Sequence, residues 1–544
     1  METKKRADIL KSKTYLYMTE FFSGMAVMAV ELGASRLLAP YFSSSQIVWT
    51  IIIGTIMIAM AIGNIWGGRS ADKDPDPDRL YKRIIIAAVW IAMIPVVGKY
   101  IIIGISGLLV VTISTNFLII AAFLACMVIF VFPLMLLGTV TPSLAKYTTD
   151  SLEDNGRIIG TLGAYNTVGS IIGTFLPTFV TIPAVGTAIT FLIFSGVLLI
   201  LGLLYFISSG RGKRLCAVTM AAFVFAAAFG NSDSFAFWEK NLLYEGESVY
   251  NYLQVKDTGD SVIFSTNVLF GVQSIKMKDG GLTGMFYDYD LAGPVAAAAD
   301  FSEGSLQTAN GSDGLKVLML GNGTGTFVSQ CRRYFPGADL TAVEIDGKIT
   351  KLAKKYFDYS SDVPTYTYDG RAFLAASDDK YDVIVIDAYQ DITIPFQMSS
   401  KEFFTLVRDH LTDDGVMVVN MNMHSDEKGS INEYLEDTIE SVFPESYTVD
   451  VPESTNREMY SCKSGDFAAK FATGSRTVAD DELADLMTQV QYGLAAYESR
   501  GNLLTDDKAP VELLGMRMID GLISNELGYY KDMVRENGIM SLIE

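Results

Sequence analysis

A chain of 544 residues, half of them hydrophobic and with a mean hydropathy of +0.28, is too long for one ordinary domain and too apolar to be wholly soluble. Its formal charge of −20 is unevenly spread: residues 1–230 hold 17 Lys and Arg against 11 Asp and Glu, and the remainder holds 25 against 51. The acidic second part argues against nucleic acid as a partner and suits a cationic or neutral small substrate, while two histidines and four scattered cysteines offer no metal-ligand spacing.

Lys4, Lys5, Arg6, Lys11 and Lys13 precede the first apolar stretch, and no small-residue cleavage site follows a short apolar core. That pattern predicts an uncleaved membrane anchor with its amino terminus in the cytosol. Spans are expected at about 15–33, 47–65, 84–113, 116–137, 158–180, 188–206 and 215–229. Glu20 and Glu31 interrupt the first, and a carboxylate in a span faces the bundle interior or a cavity. Glu31 with Arg36 reads either as an ion pair at the membrane edge or as part of a polar pocket. Gly54 and Gly63, with Ala59 and Ala61 between them, permit close helix packing in the second span. The third region, interrupted by Pro95 and Lys99, is longer than one span needs and short for two. Pro133 and the run Gly138-Thr139-Val140-Thr141-Pro142 predict a helix break. Seven spans put the Lys- and Arg-bearing loops 69–83, 146–157 and 211–214 on the cytosolic side and deliver the rest of the chain outside. A count of one fewer reverses that, so the side of the acidic part stays open.

Beyond about residue 235 the chain is soluble in character. Residues 249–255 and 261–269 read as antiparallel strands about a turn at 257–260, and 271–274 with 286–290 supply polar and aromatic groups to cover a cleft. The most informative stretch is 315–387. An apolar strand, Lys316 to Leu320, breaks at once into Gly321-Asn322-Gly323-Thr324-Gly325, a turn that brings backbone N–H groups close to a ligand. A second strand ends on Glu344, with Asp346 just beyond, where a carboxylate can accept both hydroxyls of a ribose. Two more strands end on Asp369, before Gly370, and on Asp387, so three successive strand ends present acids to one rim. Ser399 and Glu402 read as the capping pair of a helix that ends at Asp414-Gly415, before a strand at 416–420. The tail, 480–544, reads as mainly helical with a turn at 504–512, and a Cys331–Cys462 disulfide stays open.

Leu320 to Gly325, Val343-Glu344-Ile345-Asp346, Tyr368-Asp369-Gly370, Tyr381 to Asp387, Ser399 to Phe404 and Thr505-Asp506-Asp507 together resemble the spermidine/spermine synthases, the polyamine aminopropyltransferases. Phe21-Phe22-Ser23-Gly24, Glu31, Arg36-Leu37-Leu38 and the 67–72 loop are similar to the branch in which a multi-span domain precedes the synthase-like one. The resemblance implies a multi-span α-helical membrane domain of about seven helices (1–235) and a small β-rich subdomain (236–310). An α/β Rossmann-like, class I methyltransferase/spermidine synthase-like domain (311–470) and a helical extension (471–544) complete the chain. It further implies decarboxylated S-adenosylmethionine or S-adenosylmethionine, with no metal, lying across Gly321, Gly323 and Gly325. Glu344, with Asp346, would hold the ribose, Asp369 and Gly370 the adenine amine, Asp387 the region by the sulfonium, and Gln273 the cofactor tail or the amine. Asp387, Asp391 and Tyr389 are the catalytic candidates. The chain departs from the family at Asn322 and Thr324 in the turn. It also has Gln390 where an acid three residues beyond Asp387 is usual, which would leave Asp391 to serve from a shifted loop. Three readings therefore stand: aminopropyl transfer, methyl transfer from S-adenosylmethionine, and a catalytically inactive polyamine or nucleoside sensor. The partners expected are a small polycationic or amine substrate and the lipid bilayer, with a homodimer left open. The expected location is a multi-pass position in the cell membrane.

Overall fold

The computed structural model describes residues 8–515 except 43–44, 113–116, 149–154, 232–233, 269–271, 299–311, 313, 389–393, 423–424, 426 and 464. Its first part is helical: α1 (Lys13–Phe42), α2 (Gln46–Lys73), α3 (Pro77–Thr112), α4 (Phe117–Gly138), α5 (Val140–Thr148), α6 (Asn155–Leu176), α7 (Ile182–Ser209) and α8 (Lys213–Phe229). Among the described residues five helical stretches are long and apolar enough to cross a membrane, so the chain is a multi-pass membrane protein. The last of the five, the 54 residues Gly156–Ser209, holds both α6 and α7. It reverses at Gly186, whose φ of 84° and ψ of 171° are non-helical. Before that break, Gly169 lies against the Phe21 backbone and Gly173 against the Met25 backbone, so α6 runs parallel to α1. After it, Phe191 packs on Gly33 while the Tyr15 hydroxyl donates to the Leu201 carbonyl at 2.6 Å, so α7 runs antiparallel to α1.

Of the region 84–113, residues 84–112 belong to one 36-residue helix, α3, which carries Pro95 inside it. The break after α4 falls at Thr139, and Pro142 sits in the first turn of α5, where its missing N–H removes no helix bond. Large apolar side chains such as Met57, Phe179 and Ile207 point outward and are more than half exposed, as suits lipid-facing surfaces. Small residues bring the rods together. A Cβ on Gly63 would lie 2.3 Å from the Met135 carbonyl oxygen, whereas one on Gly54 would meet nothing, so only Gly63 serves the contact expected of both. Glu20 is fully buried, its Oε1 accepting from Thr141 Oγ1 at 2.6 Å and Asn166 Nδ2 at 2.8 Å. Arg36 does not turn to Glu31; it donates to the carbonyls of Ser248 and Val249 in the next part of the chain.

That next part opens with a four-stranded antiparallel sheet, β1 (Leu242–Glu247), β2 (Tyr252–Asp257), β3 (Ser261–Ser265) and β4 (Ser274–Met277), ordered as in sequence. It lies mid-chain, within the expected β-rich subdomain of 236–310. Residues 249–251, expected at the start of a strand, belong to the β1–β2 turn. Short helices α9 (Phe286–Tyr289) and α10 (Ala292–Ala297) come next. Then come β5 (Lys316–Leu320), α11 (Thr326–Tyr334), β6 (Asp339–Glu344), α12 (Gly347–Tyr356), β7 (Thr365–Thr367), α13 (Gly370–Ala376) and β8 (Tyr381–Ile386). The chain continues through α14 (Lys401–His410), β9 (Leu411–Met421), α15 (Ile431–Glu440), β10 (Ser446–Asp450), β11 (Arg457–Cys462), α16 (Phe467–Gly474), α17 (Asp481–Gly493) and β12 (Ala495–Ala496).

The eight strands β5 to β12 form one sheet in the order β12-β10-β11-β9-β8-β5-β6-β7, parallel from β9 to β7 and antiparallel at the other edge. Its central strands are apolar without alternation because both faces are covered. Val317, Met319, Val383 and Val385 enter the core on one face, and Leu318, Leu320, Ile384 and Ile386 the core on the other. The helix expected to run to Asp414-Gly415 ends at His410, and its N-cap is Ser400, one residue after the expected Ser399. The Ser399 hydroxyl instead donates to the Phe396 carbonyl, within a turn of 3₁₀ helix. The expected helical tail is interrupted by β12, its expected turn at 504–512 is found at 505–508, and its portion beyond residue 515 lies outside the described residues. Cys331 and Cys462 are both free and buried, so the disulfide left open does not form.

Candidate active site

In an open α/β sheet a ligand binds beyond the carboxyl ends of the strands, where the strand order reverses. Here that place lies between β5 and β8. The register fixes what stands there: Leu320 pairs with Val343 on one side and with Ile386 on the other. Gly321, Glu344 and Asp387, one residue further along each strand, therefore come level at the rim. Gly321 has φ of 88°, and a Cβ on it would stand 2.3 Å from the Asp387 carbonyl oxygen. Only glycine lets the turn pass so close. Gly325, at φ of 87°, caps α11 against the Tyr359 ring in the same way.

A cleft of about 260 Å³ opens over this rim. Gly321, Gly323, Glu344, Asp369, Gly370, Asp387 and Gln273 all line it, so seven of the residues singled out in the sequence converge. Gly325 stands behind the turn, and Asp346 stands away from the cleft as the N-cap of α12, accepting from Lys348 N at 2.9 Å. Tyr389 and Asp391, with Gln390, lie outside the described residues. Glu344 is 6 % exposed, and its two oxygens accept from Gly323 N at 2.8 Å and Asp346 N at 2.9 Å. Each oxygen keeps a further lone pair for a ligand hydroxyl. Burial pushes its carboxyl up to about 7, against the lowering effect of those two amides. Asp369 caps α13 through Ala372 N at 2.8 Å and lines the cleft with Tyr368 and Gly370. Asp506, in the tail motif, grips Arg371 with both oxygens and accepts from Ser400 Oγ, tying the starts of α13 and α14 together.

Asp387 lines the floor of the cleft. Its Oδ1 accepts from Asn420 Nδ2 at 2.8 Å, and Asn456 Nδ2 in turn donates to Asn420 Oδ1 at 2.8 Å. Burial outweighs that one hydrogen bond and raises the carboxyl to about 7. Residues 286–290 do not cover the cleft, contrary to expectation. Asp288 is buried and binds Thr283 and Gly284 amides and Gln330. Asp290 meets Glu458 of β11, both fully buried, with no other donor to either carboxyl among the described residues. Desolvation, with the nearby charge of Asp387, pushes both carboxyls behind Asp387 well above the ordinary range. No local sequence pattern marks this pair, because it needs α9, α10 and the antiparallel edge of the sheet brought together. Tyr250 and Asn251, which line the cleft from the β1–β2 turn, were missed for the same reason.

A Rossmann-like sheet, a glycine turn and a level row of rim carboxylates define a nucleoside-binding α/β domain, here carried on a bundle of membrane-span helices. A spermine/spermidine synthase domain matches residues 306–470. A probable polyamine aminopropyl transferase of Bifidobacterium longum (strain NCC 2705) is 50 % identical over 362 residues, covering 63 % of this chain and 77 % of that protein. The polyamine aminopropyltransferase of Vibrio vulnificus (strain CMCP6) is 30 % identical over 152 residues, 27 % of this chain and half of that protein. Among solved structures, a probable spermidine synthase from Corynebacterium glutamicum ATCC 13032 aligns at 19 % identity over 46 % of this chain and 94 % of its own, with a TM-score of 0.35. The chain belongs to the spermidine/spermine synthase family of polyamine aminopropyltransferases, in a form joined to a multi-span helical region.

Proposed function

We propose that the cleft binds decarboxylated S-adenosylmethionine and transfers its aminopropyl group to an amine acceptor. The observation that carries this reading is the pair of carboxyls, Glu344 and Asp387, level on either side of Gly321, with Asp387 poised at about 7. The fit of the nucleoside is supported by the glycine turn, where a side chain at Gly321 would collide with the Asp387 backbone, and by the free lone pairs of Glu344. Glu344 would accept the ribose hydroxyls, Asp369 the adenine amine, and Gln273 would face the tail. The bound nucleoside supplies an electrophilic carbon beside a sulfonium. Proximity between that carbon and a neutral amine provides much of the rate enhancement. Asp387, about half ionised at neutral pH, takes the proton that the attacking nitrogen sheds as the new C–N bond forms. The rim acids also attract a polycationic acceptor. Tyr389 and Asp391, just beyond Asp387 in sequence, are the other proposed catalytic candidates.

The test is native mass spectrometry of the full-length protein in detergent, with decarboxylated S-adenosylmethionine and S-adenosylmethionine offered separately with a panel of polyamines. Conversion of the decarboxylated donor to its thioether, with an aminopropyl gain on the amine, is the expected result. In Glu344→Ala, nucleoside affinity by calorimetry should fall at least about tenfold, the loss of a charge-assisted contact. A methyl gain from S-adenosylmethionine, or ligand bound without turnover, would replace aminopropyl transfer by methyl transfer or by sensing.

A further inference from the structure

The wall of the cleft nearest the membrane bundle is the β1–β2 turn, residues 248–251. Tyr250 and Asn251 line the cleft from it. The turn is tied internally: Ser248 Oγ accepts from Tyr250 N at 3.1 Å and Asn251 N at 2.9 Å, and Ser248 N donates to Asn251 O at 2.8 Å. Its position, however, is set from outside the soluble part. Arg36 of α1 donates from Nη1 to the Ser248 carbonyl at 3.3 Å and from Nη2 to the Val249 carbonyl. Glu247, the residue that leads into the turn, is 8 % exposed. Its carboxylate receives Thr187 N and Thr187 Oγ1, each at 3.0 Å.

Thr187 can offer its amide because Gly186 breaks α7 immediately before it. The helix that restarts there has first-turn N–H groups with no partner within the helix and a positive end, and Glu247 caps it. Lys348 of α12 donates to the Glu247 carbonyl, which ties the same residue to the helix that comes after Glu344. Asp346, which stands outside the cleft, faces this junction: with Glu247 it is one of the two carboxylates that attract Arg36. Two membrane helices thus hold one wall of the nucleoside cleft, one at backbone carbonyls and the other through a buried carboxylate.

We propose that the membrane bundle is a working part of the nucleoside site, with Arg36 and Thr187 as positioning residues that press Tyr250 and Asn251 against the bound ligand. The proposal rests on the nucleoside reading of the cleft. It explains why an arginine six residues from the end of a membrane helix spends its hydrogen bonds on a loop of the soluble part. It also gives the helix break at Gly186 a purpose, since an unbroken α7 has no free amide at Thr187.

The experiment is isothermal titration of 5′-methylthioadenosine into the full-length protein in detergent, with thermal unfolding measured on the same samples. In Arg36→Met the affinity should fall about tenfold, as expected when a charge-assisted hydrogen bond to the wall is lost, and Arg36→Lys should recover part of it. Thr187→Val should weaken binding about threefold or more, while Thr187→Ser, which keeps the hydroxyl, should bind as wild type does. All four variants should unfold within a few degrees of wild type. Unchanged affinity in both Arg36→Met and Thr187→Val overturns the proposal, as does an affinity loss that the conservative variants share equally. Failure of the wild-type protein to bind the probe would instead strike the nucleoside reading.

Discussion

At the level of single residues the proposed reaction turns on Asp387, whose burial holds its carboxyl near 7. If it accepts the amine proton, kcat/KM should climb with pH through an inflection near 7 and level off above it. Asp387→Asn should lower kcat by roughly 10²- to 10⁴-fold and abolish that inflection while leaving thermal stability equal or higher. A variant with wild-type turnover and profile would remove Asp387 from the chemistry. The same burial gives stability a direction with pH. Glu344 and Asp387 bind their protons more tightly folded than unfolded, so this contribution is complete below about pH 4 and is lost as pH rises to about 7. Asp387 was legible because a carboxylate at the end of an apolar strand stands out in one dimension. Asp290 and Glu458 were not, since neither has an acidic or apolar pattern around it that marks a partner 168 residues away in the chain.

Among the elements, those encoded by local pattern were readable and those decided by pairing were less so. The strand and turn from Lys316 to Gly325 arise directly from an apolar run stopped by glycines. Ser399 and Ser400 are both competent caps, and the choice between them is made by the 3₁₀ turn at Phe396–Met398, which uses the Ser399 hydroxyl. Likewise β7 stops at Thr367 because it pairs only with the last residues of β6. Gly54 and Gly63 look alike in sequence, both on α2, yet their surroundings differ. Gly63 packs where a Cβ would meet the Met135 backbone, so Gly63→Ala must push α2 from α4 and should cost about 1–3 kcal/mol. Gly54→Ala meets open space and should be neutral or stabilise by up to about 1 kcal/mol through helix propensity. Unfolding of the two variants in the same detergent separates them, and equal midpoints would mean the α2–α4 contact tolerates a methyl group.

For the whole molecule, the helix directions decide which way the cleft faces. Among the described residues seven rods, α1 to α4 and α6 to α8, alternate in direction, in keeping with the parallel α1–α6 and antiparallel α1–α7 contacts. An odd number puts the soluble part at the end of the bundle opposite Lys13. The basic residues are divided accordingly. Lys13, Lys73, Arg83, Lys146, Arg157 and Arg214 cluster about the Lys13 end, in or beside the 69–83, 146–157 and 211–214 segments. At the other end the described rods carry Arg36 and Lys99, and each donates to backbone carbonyls of a later segment, at Ser248 and Val249 and at Ser234. Because Lys and Arg near span ends set orientation, the Lys13 end is expected in the cytosol and the cleft on the opposite face. The proposed nucleoside and amine would then have to be met outside the cytosol. Cysteine mapping on intact cells checks this: Asp260→Cys, in an exposed turn of the soluble sheet, should react with a membrane-impermeant maleimide, and Lys213→Cys only after lysis. The native cysteines, three buried and Cys216 partly so, set the background. Labelling in the reverse order would mean that one rod, with the 17-residue α8 the first to examine, lies along the membrane instead of crossing it, and that the cleft draws on cytosolic donors.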